Sequence, residues 1–155
     1  MLSIDVNEAL AGIDMMLRRA ADPLPVLSRI GASEVENVRA RIRASKISPW
    51  GDNWAPWAPS TRAHREHKGN AGQGLLWDDG DLLKSIHYDT QVGAYLGGSL
   101  GVLEVGSDMR YAGYLQDGTS KMPARPFLGW NPATFAYYEA MLAGWIEFGN
   151  EREYL

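Results

Sequence analysis

From Ser45 to Gly74 the chain sets Trp50, Trp54 and Trp57 among prolines and glycines, with almost no aliphatic residue and no sustained period. A stretch of this kind carries neither the 3.6-residue nor the two-residue repeat of regular structure. Connections so long are uncommon in compact domains unless they bind, act as lids or are disordered. The segment therefore reads as a long irregular loop that splits the 155-residue chain into a front part, 1–44, and a back part, 75–149. Three indoles are costly to leave in water. They are expected to dock, either on the protein's own sheet or on a neighbouring subunit, and the loop is expected to become ordered when the protein assembles.

The front part reads as helical. Asp5-Val-Asn-Glu8 has the form of a capping box, with Asp in place of Ser or Thr. Val6, Leu10, Ile13 and Leu17 share one helical face, and Asp22-Pro23 ends the first helix because the residue before proline is pushed out of the α region. A second helix opens at Pro23 or Pro25 with the stripe Leu27, Ile30, Val35, Val38 and Ile42, in which Gly31 is a weak point.

The back part changes period. Leu75 to Leu83 reads as an extended piece, a turn at Asp79-Gly80 and a helical turn. Ile86, Tyr88, Thr90 and Val92 then alternate with His87, Asp89 and Gln91, and Leu100 to Val105 returns after a glycine-rich reversal, which predicts an antiparallel hairpin. Tyr111 to Gln116 predicts a short helix ending at Gly118. Asn131-Pro132 predicts the start of a last helix over 131–149, with Phe135, Tyr138, Leu142, Trp145 and Phe148 as its apolar residues. The acidic tail Glu151 to Leu155 is expected to fray. The expected architecture is α+β: one domain over 1–155, with a small antiparallel sheet over 75–130 packed with N-terminal and C-terminal helices.

Charge and composition narrow the function classes. A formal net charge of -4 argues against grip on nucleic acid through phosphates, although Arg39, Arg41 and Arg43 cluster at the end of the second helix. A solvated helix face is the plainer account of those arginines. Residues 1–68 carry ten Lys/Arg against eight Asp/Glu and the remainder five against eleven, a split that suits subunits meeting front to back. Without cysteine there is neither disulfide nor thiolate ligand. The first turns are polar, so neither a signal peptide nor a membrane span is expected, and synthesis falls in the cytoplasm.

Candidate chemistry is thin. His64-Arg-Glu-His67 places its histidines three apart, whereas the zinc-hydrolase motif needs them four apart on a helix. Asp78, Asp79 and Asp81 lack the further oxygen ligands of a calcium loop, which leaves turn and cap duty. Gly97-Gly-Ser-Leu-Gly101 has no phosphate-loop lysine. A metal-assisted hydrolase built from His64, His67 and Asp78 to Asp81 is the competing reading. No catalytic, cofactor or metal residue is assigned.

Several stretches taken in order resemble the phage virion morphogenesis family, the tail completion proteins of Mu-like and P2-like tailed phages and prophages. They are Trp54-Ala-Pro-Trp57 with Pro59-Ser-Thr61, Leu75-Leu76 with Gly80 to Ile86, Val105-Gly-Ser107, Tyr111-Ala112, Gln116-Asp-Gly118 and Pro123-Ala-Arg-Pro-Phe-Leu-Gly129. The resemblance implies a non-enzymatic structural protein without cofactors, found in the virion tail or neck. It would complete the tail or join head to tail as a homo-oligomeric ring, commonly sixfold, at the head-proximal end. Its partners would be itself, a tail tube or tail terminator protein and a head-tail connector protein, with DNA only passing through the lumen and no membrane. The physics of this chain proposes the subunit interface: Trp50, Trp54 and Trp57 against a rigid counter-surface of Arg125, Pro126 and Phe127, where the prolines hold the arginine ready for a carboxylate on a neighbour, with an internal ion pair the equal alternative.

Overall fold

A computed structural model describes residues 6–95 and 98–149, which form six α-helices and a two-stranded antiparallel sheet, the expected α+β class. The order is α1 Val6–Ala21, α2 Leu24–Ala40 running into a π-helical turn Arg41–Ser45, α3 Pro59–Lys68, α4 Asp81–Ser85, β1 Ile86–Tyr95, β2 Gly98–Ser107, α5 Ala112–Asp117 and α6 Pro132–Phe148. Asp5, the tip residues 96 and 97, and the tail 150–155 lie outside the described residues, and with them the capping box, part of the reversal and the fraying tail.

The hairpin runs in register from Ile86 opposite Ser107 to Tyr95 opposite Gly98, so pairing continues through Gly93 and Ala94, past the predicted strand ends. Helix α2 lies across it. Gly31 has a packing role: a Cβ there would come within 2.5 Å of the Tyr88 ring and 2.9 Å of Leu103. Gly101 of β2 answers it, its missing Cβ leaving room for Pro23 and Leu27. Each glycine lets helix and strand approach closely.

Two apolar clusters result. The larger joins the C-terminal half of α2 and the π turn (Val35, Val38, Ile42) to Trp54, Leu82, Leu83, Ile86 and Phe127. The smaller joins Val26 and Ile30 of α2 to Tyr138 and Met141 of α6. Between them the buried Glu34 carboxylate accepts from the Tyr138 hydroxyl at 3.0 Å and from Asn37 at 3.4 Å, with the Arg41 guanidinium 4.0 Å away. A buried carboxylate is tolerable only with such partners. Burial pushes the Tyr138 phenol above its ordinary value.

The predicted loop is corrected at its centre. Residues 59–68 are α3, on which His64 and His67 stand exposed, three apart. Pro59 opens this helix, and Gly69, at φ 78, closes it. That pairing of proline at the start with glycine at the end was present in the sequence. The arginine expectation is corrected too. Of the three, only Arg43 is exposed. Arg39 donates to the carbonyls of Leu83 (3.1 Å) and Ile86 (3.0 Å), and Arg41 to that of Phe127 (2.7 Å).

Candidate assembly surfaces

The return after α5 is held from several sides. Gly118, at φ 75, makes the turn, and a Cβ there would meet the Ala124 backbone nitrogen at 2.7 Å. Gln116 grips both groups of the next stretch: its Oε1 accepts from the amides of Phe127 (3.0 Å) and Leu128 (3.1 Å), and its Nε2 donates to the Leu128 carbonyl (2.9 Å). The Arg125 amide donates to Leu115 at 2.7 Å. These bonds pair buried backbone groups of an irregular strip that no regular ladder serves.

Five of the six residues proposed for the interface make their contacts inside one subunit. Trp54 is buried and donates from Nε1 to the Pro126 carbonyl at 2.8 Å. Arg125 is buried and donates to the carbonyls of Ala55 and Pro56, both at 2.8 Å, and Phe127 is fully buried in the larger cluster. Pro126 is half-buried. Trp57, half-buried, donates to the Leu75 carbonyl at 2.9 Å while the Arg65 guanidinium lies 5.0 Å over its ring. The counter-surface for Trp54 is thus its own chain. The sequence reading left own sheet and neighbour open, and the complementarity of indole and proline-framed strip is met internally. Trp50 is the exception: it lies beside Gly129, as Pro49 does, and keeps 55% of its surface exposed.

Beside this strip lies an open cleft of about 770 Å³, walled by Trp57, Arg65, Asp78, Tyr111, Met122 and Arg125 among others. Its charges hold the fold. Asp78 faces Arg65 at 3.0 Å and Lys68 at 2.9 Å and accepts from Asn70 at 2.6 Å, and Lys68 also meets Asp79 at 2.7 Å. The Lys68 hydrogen bond holds the Asp78 carboxylate below its usual range. Burial, followed by the charges of Asp81, Asp78 and Asp79, pushes the Tyr111 phenol up. Burial pulls the Arg125 guanidinium down with no carboxylate to oppose it, yet an arginine stays charged at any ordinary pH. Among the described residues, no three His, Asp or Glu side chains gather where they could hold a metal ion.

A different surface stands uncovered. On α1, Leu10, Ile13 and Leu17 are 57%, 53% and 64% exposed, with Met16 flanking them. The helix is tied at its C-terminal end, where Arg19 donates to the carbonyls of Ile146 (3.3 Å) and Glu147 (2.8 Å). Leu27, Ile30, Trp130, Phe135, Tyr138 and Leu142 line a shallow groove of about 180 Å³ between α2 and α6. Phe135, predicted to face the core, is 53% exposed, because α6 buries Tyr138, Met141 and Gly144 instead. The described residues contain no helix long and apolar enough to cross a membrane.

An α+β subunit whose polar groups brace irregular backbone, and whose helices expose apolar faces, has the character of an assembly component. The chain belongs to the phage virion morphogenesis family, whose model matches residues 4–145. It is thus a phage protein of virion assembly. No curated protein and no solved structure matches it.

Proposed function

We propose that the protein completes the phage tail, forming a ring of identical subunits at the head-proximal end where tail tube or terminator protein meets the head-tail connector. The observation that carries this is the uncovered apolar surface of α1 and of the α2–α6 groove, together with family membership. Monomeric soluble proteins rarely expose contiguous apolar patches beyond a few hundred Å². Identical subunits that meet head to tail close into a ring when the rotation between them closes. DNA passes through such a ring without a tight grip, in keeping with the net charge of -4.

The role is structural. In the cleft, Arg65 and Lys68 engage Asp78 and Asp79, and no observation favours the hydrolase reading over turn and helix support. Deleting the gene is expected to leave filled heads and finished tails that do not join, seen by electron microscopy of lysates. Infectious joined particles assembled without the protein would refute the proposal. Native mass measurement of the purified protein, alone and with tail tube protein, reads the subunit number directly.

A further inference from the structure

We propose that the end of the cleft formed by Arg125, Lys121 and the N-terminus of α3 binds a side-chain carboxylate on an acidic segment of a partner protein. This deepens the assembly reading above and rests on it for the presence of a protein partner. Three features of one cleft wall call for the same anion.

The first is a buried cation without a counter-charge. Arg125 is 6% exposed, and its guanidinium commits Nε and Nη2 to the carbonyls of Ala55 and Pro56. Its Nη1 has no acceptor among the described residues, and the side chain lines the cleft. The sequence left an internal ion pair and a neighbour's carboxylate equally open, and the ion pairs of the described residues do not include Arg125. Burial is the cause that moves its pKa, with no carboxylate registering against it. A buried charge without a partner is costly, and the planar fork of a guanidinium matches a carboxylate.

The second is the start of α3. Ala58 at its N-cap offers no side-chain acceptor, and the first turn holds no acidic residue. The amides of Ser60 and Thr61 belong to the first turn, where no intrahelical acceptor exists, and Ala58, Ser60 and Thr61 line the same cleft. Such an end favours negative charge. The third is Lys121, exposed on the cleft wall with no ion-pair partner among the described residues.

The other end of the cleft decides for a protein over a nucleic acid. Asp78 and Asp79 pair with Arg65 and Lys68 in the C-terminal half of α3, whereas Arg125 holds the residues just ahead of Pro59. At 1.5 Å per residue, Ser60 and Lys68 stand about 12 Å apart along the helix. A nucleic-acid strand, with one phosphate every 3.4 Å or so, would bring further charges against the exposed Asp79 and Asp81. A peptide can place one carboxylate at the basic end and uncharged residues along Trp57 and Met122.

The test titrates isotope-labelled full-length protein with an end-blocked glutamate-containing tetrapeptide, its glutamine counterpart and inorganic phosphate, read by NMR. Saturable shifts of the Ser60 and Thr61 amides are expected with the glutamate peptide and not with the glutamine one, weakened roughly threefold by Lys121→Gln. Ala58→Asp supplies the carboxylate from within: it is expected to raise the thermal midpoint of the free protein by about 2 to 4 °C and to abolish the peptide shifts. Absent shifts, or equal shifts with the glutamine peptide, would overturn the site. So would an unchanged midpoint in Ala58→Asp, which would mean that the start of α3 is already satisfied. Saturation by phosphate at lower concentration than by the glutamate peptide would assign the site to phosphate groups and overturn the acidic partner. A ring that forms while no peptide binds removes this site and leaves the tail reading standing; infectious joined particles made without the protein, with the peptide still bound, do the reverse.

Discussion

Helices α1 and α2 follow each other in the chain, carry apolar stripes of similar spacing, and meet opposite fates. The α2 stripe, with the π turn that extends it, is sealed: Ile30, Val35, Val38 and Ile42 are all buried under the hairpin, α6 and the Trp54–Phe127 strip. The α1 stripe is more than half exposed at Leu10, Ile13 and Leu17. A period specifies which face of a helix is apolar but says nothing of what covers it. For α2 the cover lies in the same chain. For the exposed stripe of α1 no cover is present among the described residues, and the division can be probed from either side.

The largest effect belongs at the centre of the sealed stripe. Ile42 is wholly buried, so Ile42→Ala is expected to cost about 2 to 5 kcal/mol through lost contact and a cavity that the packed indole and phenyl rings cannot refill. The urea midpoint of the isolated subunit measures it. A cost under about 1 kcal/mol would mean that the α2 cover is loose and the contrast with α1 unfounded.

Next comes the strip that closes over α2. Arg125→Met leaves the carbonyls of Ala55 and Pro56 without their donor, and about 2 to 3 kcal/mol is expected to be lost. Arg125→Lys is not expected to rescue it, because an ammonium does not reproduce the planar fork that reaches both carbonyls. Full rescue by lysine would show that charge rather than geometry holds the strip. Gly31→Ala follows at about 1 to 3 kcal/mol, since the new methyl overlaps the Tyr88 ring, and a thermal midpoint unchanged from wild type would show that the helix and hairpin can move apart freely.

How much was legible follows the same division. The Asn131-Pro132 start of α6 was readable, and Asn131 Oδ1 does accept from the Thr134 amide at 2.8 Å. So was the hairpin, because alternation from Ile86 and glycines at its reversal are local signals. Helix α3 was not, since it has no apolar stripe. It is held by the buried Arg65, which donates to the Trp77 carbonyl at 2.8 Å, and by Lys68 reaching Asp78 and Asp79, contacts between segments that no local period encodes. The destination of Trp54 was open for a similar reason. An indole announces that it must be covered, and only the tertiary fold brings the Pro126 carbonyl to its Nε1.

That polar support for α3 gives a pH prediction. Asp78 titrates below its usual range because the Lys68 hydrogen bond favours the carboxylate. Its contribution is therefore present above the ordinary aspartate pKa of 3.8 and lost as pH falls through the lower folded value. Asp78→Asn is expected to lower the urea midpoint at neutral pH by less than Gly31→Ala does, solvent screening keeping the effect small. The gap to wild type should close on acidification below about pH 4. A gap that persisted in acid would mean that Asp78 supports α3 by shape and not by charge.

The smallest expected effect decides most. Leu17→Ala removes a large apolar side chain from the α1 stripe, the same chemistry as the loss at Ile42, yet in the dilute, unassembled subunit it should change stability by no more than about 0.5 kcal/mol, because 64% of that side chain's residue surface already faces water. A cost near that of Ile42→Ala would mean that α1 is covered within its own chain, and the distinction between the two helices would collapse. A null result in the subunit, set against a measurable weakening of self-association by the same substitution, would place the missing cover in the neighbour.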